Sequence, residues 1–249
     1  MSSTRASGPI WARPEPGGRR PRFTRQQIAA VALAIADAEG FGAVSMRRVA
    51  AELGAGTMTL YYYVRSKDEL LDLMDDAIMA EVLIPDGELP TSGWREALSE
   101  IARRTRALFV RHPWALLSLR EAWMGPNAMR HFEQSLAAVA DAPLDVAGRL
   151  ELLTIVDDYV FGHALRRGET RTRAAAEGEG AEAALEFAVT QFQSGSYPHL
   201  QALIGDADPR DAAAENAAAV MDERQSELQF ERGLRDLLDG AALRMSAPK

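Results

Sequence analysis

Cysteine does not occur in the 249 residues. Its absence excludes disulfides, thiolate nucleophiles and cysteine-ligated zinc, and it fits a reducing, cytoplasmic compartment. Lysine is almost missing: only Lys67 and Lys249 stand among the 28 basic residues, the others being arginine. Histidine occurs four times, as His112, His131, His163 and His199, too scattered to suggest a metal site. No apolar run approaches the roughly 20 residues of a membrane helix, so no membrane partner is expected. The first residues carry arginines without the apolar stretch of a secretory signal. The chain also lacks GxGxxG, a phosphate loop, HExxH and a nucleophile elbow. No catalytic residue, metal or cofactor is therefore expected.

Charge of one sign is scarce at one end. Residues 1–67 hold ten basic and four acidic side chains, a net of +6, whereas residues 68–249 hold 18 and 32, a net of −14. The sum of −8 hides this segregation. A basic end can displace counterions from a duplex, and an acidic remainder is repelled by phosphate and should face away from it.

Helical periodicity is present along the chain, with no sustained strand-like alternation and no internal repeat, so the fold class is all-α. Residues 1–22 are dense in glycine, proline and arginine and read as a disordered basic arm. Thr24 and Gln27 form a capping-box pattern opening a helix to Glu39, with Ile28, Val31, Ala32, Ile35 and Ala38 as its buried stripe. Met46, Val49, Ala50 and Leu53 lie on one face of a second helix, capped by Ser45 and stopped by Gly54. A third, short helix over 57–63 turns Leu60 and Val64 inward. Its remaining residues are polar or aromatic, and Tyr61, Tyr62 and Tyr63 stand outside any evident core need. Two helices joined this tightly form a helix-turn-helix, whose second helix suits a DNA major groove. An ordinary helical hairpin would share the spacing.

Ser66 and Glu69 form a second capping-box pattern, opening a helix to about Leu83 that ends at Ile84-Pro85-Asp86-Gly87. Further helices are expected over 94–112, 114–123, from 125 to about 141, 143–167, 181–192, 199–204 and 222–245. Residues 168–180 lack a clear stripe, and 206–214 read as a polar, alanine-rich loop. Arg103, Arg104, Arg106 and Arg111 read as a solvated helix face. Two stripes suggest helix pairing between copies, the alternative being that they close one chain's own core: Leu150, Leu153, Val156, Tyr159 and Val160, and Phe230, Leu234, Leu237, Leu238 and Ala241.

The stretch Ser45-Met46-Arg47-Arg48-Val49-Ala50, the turn Leu53-Gly54, and the run from Leu60 through Tyr61, Val64, Lys67 and Leu70 to Leu71 carry a resemblance. Residues 24–75 are similar to the DNA-binding domain of the tetracycline-repressor (TetR) family of bacterial regulators, with Tyr63 where many members have histidine. His112-Pro113-Trp114, Gly125-Pro126-Asn127, Tyr197-Pro198 and the 230–240 run resemble that family's ligand-binding and dimerisation domain. The resemblance implies a helix-turn-helix domain over 23–67, a connecting helix over 68–84 and a ligand-binding, dimerising domain over 85–249. It implies contacts to double-stranded operator DNA by Arg47, Thr57, Met58, Thr59, Tyr61, Tyr62 and Lys67. It also implies a homodimer and a small-molecule effector, for which Phe109, Trp123, Met124, Phe132, Tyr159 and His163 are the candidate residues. The family's tetracycline-binding member uses a histidine near the end of the fourth helix to hold magnesium; here that place reads Ala80-Glu81-Val82-Leu83, so a metal–tetracycline chelate is not expected. A helical adaptor without sequence-specific DNA binding is the alternative.

Overall fold

The computed structural model describes residues 8–16, 22–118, 124–174 and 179–246. Among them there is no strand. Helices α1 (Arg25–Glu39), α2 (Met46–Glu52) and α3 (Thr57–Tyr63) are followed by α4 (Lys67–Val82), α5 (Trp94–Arg111), α6 (Ala115–Ser118), α7 (Pro126–Ala138) and α8 (Val146–Ala174). Then come α9 (Glu179–Gln193), α10 (Pro198–Ile204), α11 (Pro209–Met221) and α12 (Glu223–Ser246). The chain divides into two compact units, with boundaries at residues 164/165 and 244/245; each is described by itself.

In the first unit the helix ends follow from local chemistry. The Thr24 hydroxyl accepts from the Gln27 amide at 3.1 Å, and the Gln27 side chain accepts from the Thr24 amide at 2.9 Å, so the capping box is complete. Ser45 caps α2 through the Arg48 amide at 3.2 Å. Ser66 caps α4 through the Glu69 amide at 3.1 Å, but Glu69 does not complete the reciprocal bond; its carboxylate accepts from the Arg65 amide and pairs with Arg13. The buried side of α1 is Ile28, Ala29, Ala32, Ile35 and Ala36. The expected stripe had Val31 and Ala38 in it; Val31 is only half-buried and Ala38 exposed, because α4 lies along a slightly rotated face.

Helix α4 is the axis of this unit: α1, α5, α6 and α7 all pack on it. It buries Leu70, Leu73, Met74 and Ile78 and also four acids, Glu69, Asp72, Asp75 and Asp76. Asp76 caps α7 from across the interface, accepting from the amides of Asn127 at 2.9 Å and Ala128 at 3.1 Å and from the Asn127 side chain at 3.0 Å. Burial pushes its carboxyl up, against these bonds, which pull it down. Beyond α4, the Gln134 amide brackets Ile84, accepting its N–H and donating to its carbonyl. Ile84, Ala97, Ile101 and Ala138 close a small core there.

Three expectations are corrected. Residues 8–16, read as part of a disordered arm, contain a short 3-10 turn, Ile10–Ala12, with Ile10 fully buried; an Ile-Trp pair supplies the apolar surface that glycine and proline lack. Residues 1–7 and 17–21 of that arm lie outside the described residues. Of the segment 206–214 only 206–208 is loop: α11 starts at Pro209, whose ring suits a first helical turn, and its alanines are the strongest helix formers. Helix α8 runs past 167 to Ala174.

In the second unit α9 and α11 pack together. Along α12, Phe230, Leu234, Leu238 and Ala241 are buried. On the part of α8 that belongs to the first unit, Leu153, Val156 and Val160 are buried. Most of the two stripes expected to pair copies are thus already covered within one chain. Each helix keeps other apolar side chains outward: Val146, Leu150, Phe161 and Leu165 on α8, and Leu228 and Leu243 on α12.

Candidate nucleic-acid interface

Helix α2 ends in a Schellman motif. The Gly54 amide bonds to Ala51 at 3.0 Å and the Ala55 amide to Ala50 at 2.9 Å. Gly54 sits at φ +61°, which a side chain at that position would resist. The turn packs α3 on α2, with Leu60 and Val64 buried while the opposite side meets solvent.

That outer side carries most of the expected contact residues. Met58 is 81% exposed, Tyr62 65% and Tyr61 41%; Thr57 and Thr59 are half-exposed, and Arg47 and Lys67 are exposed. Exposed apolar and aromatic side chains on a short helix gain nothing from the fold, but in a groove they can meet thymine methyls and sugars. Tyr63 departs from the group. It is 6% exposed, packs edge-on against Phe23 and Tyr62, and its hydroxyl accepts from the Phe23 amide at 3.4 Å. The three tyrosines are equivalent in sequence, but only the third points back to the core, three residues on from Leu60 and so on nearly the same helix face.

The adjacent arginines of α2 separate in the same way. Arg48 is bound by Glu39 at 2.6 Å and Glu52 at 2.7 Å, pairings that raise it above the ordinary arginine value and pull Glu39 down. Its charge is matched at the surface by acids of the same chain. Arg47 has no acidic partner among the described residues and stays available to phosphate. Arg65, not singled out from the sequence, is exposed beside Lys67. Arg22 donates to the Gly54 carbonyl at 2.7 Å, holding the chain before α1 against the helix-turn-helix turn.

A sequence model described as "Bacterial regulatory proteins, tetR family" matches residues 28–74, and one described as "Tetracyclin repressor-like, C-terminal domain" matches residues 86–245. The chain belongs to the TetR family. This regulator is 39% identical over 194 residues to the HTH-type transcriptional repressor DrrR1 of Streptomyces coeruleorubidus, covering 76% of this chain and 72% of that one. Its fold is similar to that of ActR from Streptomyces coelicolor in complex with (S)-DNPA, with TM-score 0.68 and 27% identity over 90% of this chain and 98% of that one. Against ActR in complex with actinorhodin the values are 0.64 and 28%, over 88% and 95%. It is a DNA-binding transcription regulator, not an enzyme. No helix among the described residues is long and apolar enough to cross a membrane.

The candidate effector residues are less gathered. Phe109 is buried and packs on Phe161, ring centroids 4.8 Å apart. Tyr159 and His163 are half-buried neighbours on α8, 6.3 Å between rings. Met124 and Phe132 are exposed. Trp123 lies outside the described residues.

One polar node was not anticipated. At the junction of α5 and α6, the buried His112 places Nδ1 2.7 Å from Asp37 of α1 and Nε2 3.3 Å from Glu81 of α4. Trp114 donates to the same Asp37 oxygen at 2.7 Å and stacks on Phe41. The only signal in the sequence was that a histidine and a tryptophan flank a helix-breaking proline, which does not say what they touch. The arginine face of α5, expected to be solvated, is partly covered: Arg111 is exposed, but Arg103, Arg104 and Arg106 are half-buried, and Arg103 pairs with Glu96, Arg104 with Glu100 and Arg111 with Glu81.

Proposed function

We propose that this regulator is a cytoplasmic, ligand-responsive repressor that binds a near-palindromic operator as a homodimer. The observation that supports it best is the split face of α3: Leu60 and Tyr63 anchor the helix, Met58 and Tyr61 are held out in solvent, and Tyr62, edge-on to Tyr63, still leaves most of its ring exposed. In this reading Thr57, Met58 and Tyr62 meet base edges, and Arg47, Tyr61 and Lys67 meet phosphates, which set register without reading sequence. One such head spans only a few base pairs, so two are needed, about 34–36 Å apart on one face of the duplex. The outward apolar side chains of α8 supply a surface for pairing.

Ligand response is supported by the similarity to ActR, whose structures hold (S)-DNPA and actinorhodin. Phe109, Trp123, Met124, Phe132, Tyr159 and His163 remain the proposed effector contacts. An effector releases DNA only if it binds the released conformation more tightly than the bound one.

The test is a gel-shift and footprinting series on overlapping duplexes from the DNA flanking the gene, at physiological salt, with the mass of the protein–DNA complex measured in parallel. The expected result is a symmetric footprint and two chains per site. Binding by a single chain, or equal affinity for every duplex, would refute the proposal.

A further inference from the structure

Residues 9–15 precede both matched family regions, the first of which begins at residue 28, and they are tied to three helices. The first residue of α1, Arg25, turns its guanidinium back to donate to the carbonyls of Ile10 at 2.9 Å, Arg13 at 2.9 Å and Pro14 at 3.3 Å. The Arg25 amide donates to Glu15 at 3.2 Å. Arg13 reaches the first turn of α4, its Nη2 2.6 Å from Glu69. Trp11 reaches the start of α7: a Cβ added at Gly125 would lie 2.6 Å from the indole and 2.3 Å from Asp76 Oδ1. Only a glycine lets backbone, indole and carboxylate come this close. Ile10 beside it has no exposed surface.

The helices joined in this way belong to different functional parts. Helix α1 carries the reading head, whereas α7 packs on α4 and α5 and belongs to the body. We propose that residues 9–15 are a strap that sets the tilt of the reading head on the body, with Trp11 and Arg13 as positioning residues for operator binding. The inference rests on the dimeric operator reading above.

The mechanical reason is leverage. Helix α4 has 16 residues. At about 1.5 Å per residue it is roughly 24 Å long, so a tilt of about 5° moves its far end by about 2 Å. Two heads that must meet two half-sites at once are sensitive to such a displacement. The strap grips the α1 end through a forked guanidinium, which holds three carbonyls in one geometry, and the α4 end through an ion pair of low exposure. Residues whose only role was solubility would leave Ile10 and Trp11 in water.

The test compares the unaltered full-length protein with Trp11→Ala, Trp11→Phe and Arg13→Gln. Each is titrated by fluorescence anisotropy against the shortest flanking duplex that the unaltered protein binds, and against that duplex with one base pair inserted at its centre. The unaltered protein is expected to bind the lengthened duplex about tenfold more weakly, because head or DNA must distort to span it. Trp11→Ala and Arg13→Gln should reduce that ratio about threefold or more while weakening binding to the original duplex; Trp11→Phe should restore both. Unchanged affinities for the two duplexes, or equal losses on both with the ratio intact, would overturn the strap. Arg13→Gln removes only an ion pair and decides the matter if Trp11→Ala does not fold. An unaltered protein that binds no flanking duplex would instead overturn the operator reading, so the two failures are distinguishable.

Discussion

The chemistry of this regulator at the scale of single residues is a matter of which charges are already neutralised. Arg47 and Arg48 are neighbours in sequence, yet two carboxylates hold Arg48 and, among the described residues, none holds Arg47. A phosphate contact releases condensed counterions, and each one lost flattens the salt dependence of binding. Arg47→Ala and Lys67→Ala are each expected to weaken binding to all sequences alike and to reduce the slope of log K against log salt by about one. Arg48→Ala should leave that slope unchanged, which titrations at four or five salt concentrations would show. Met58 behaves differently, since a thioether offers base edges only apolar contact. Met58→Ala should alter the preference among operator variants and not the salt slope, measurable on a panel of single-base substitutions. Residue type suggested this division, but the sequence could not show Arg48 folded against Glu39 or Tyr63 turned inward, because both depend on where neighbouring helices lie.

At the scale of elements, the helix ends were legible and the caps between helices were not. Thr24, Ser45, Gly54 and Ser66 act on groups three or four residues away, so pattern alone located them. Gly54→Val places a β-branched side chain at φ +61°. No atom lies within 4 Å of the new Cβ, so the cost is backbone strain alone, about 1–3 kcal/mol, read as a lower unfolding temperature together with weaker operator binding. Asp76 is the opposite case, a cap contributed to α7 by a residue about 50 positions earlier. Its truncation leaves the first amides of α7 unpaired beneath Trp11. Asp76→Ala is expected to destabilise the protein by about 2 kcal/mol in denaturant titration, with Asp76→Asn, which keeps one acceptor, in between. In sequence, Asp76 is one of several acids on α4 and carries no mark that distinguishes it. The segment 209–214 has the reverse cause: its aspartates and lack of an apolar stripe suggest a loop, whereas a proline start and an alanine run favour helix locally.

For the whole molecule, the segregated charge and the packing around α4 agree. The head carries the positive surplus, and the body, with a net of −14 beyond residue 67, has reason to stay off the duplex. Pairing of two copies must use surface that one chain leaves open, so Leu150 on α8 is a better candidate than the buried Val156 or Val160. Leu150→Glu is expected to shift the sedimenting species from about twice 27.1 kDa toward 27.1 kDa, with circular dichroism unchanged and operator affinity sharply reduced. The sequence by itself determined the helical class, the order of most helices, the turn at Gly54 and the basic end, because each is set by spacing and composition within a few residues. Only the tertiary structure decided which tyrosine is core, which arginine is free, which apolar stripe stays exposed and how residues 9–15 hold α1, α4 and α7. Those outcomes depend on contacts between residues far apart in the chain, where a periodic pattern shows that a side chain will be buried but not what it will be buried against.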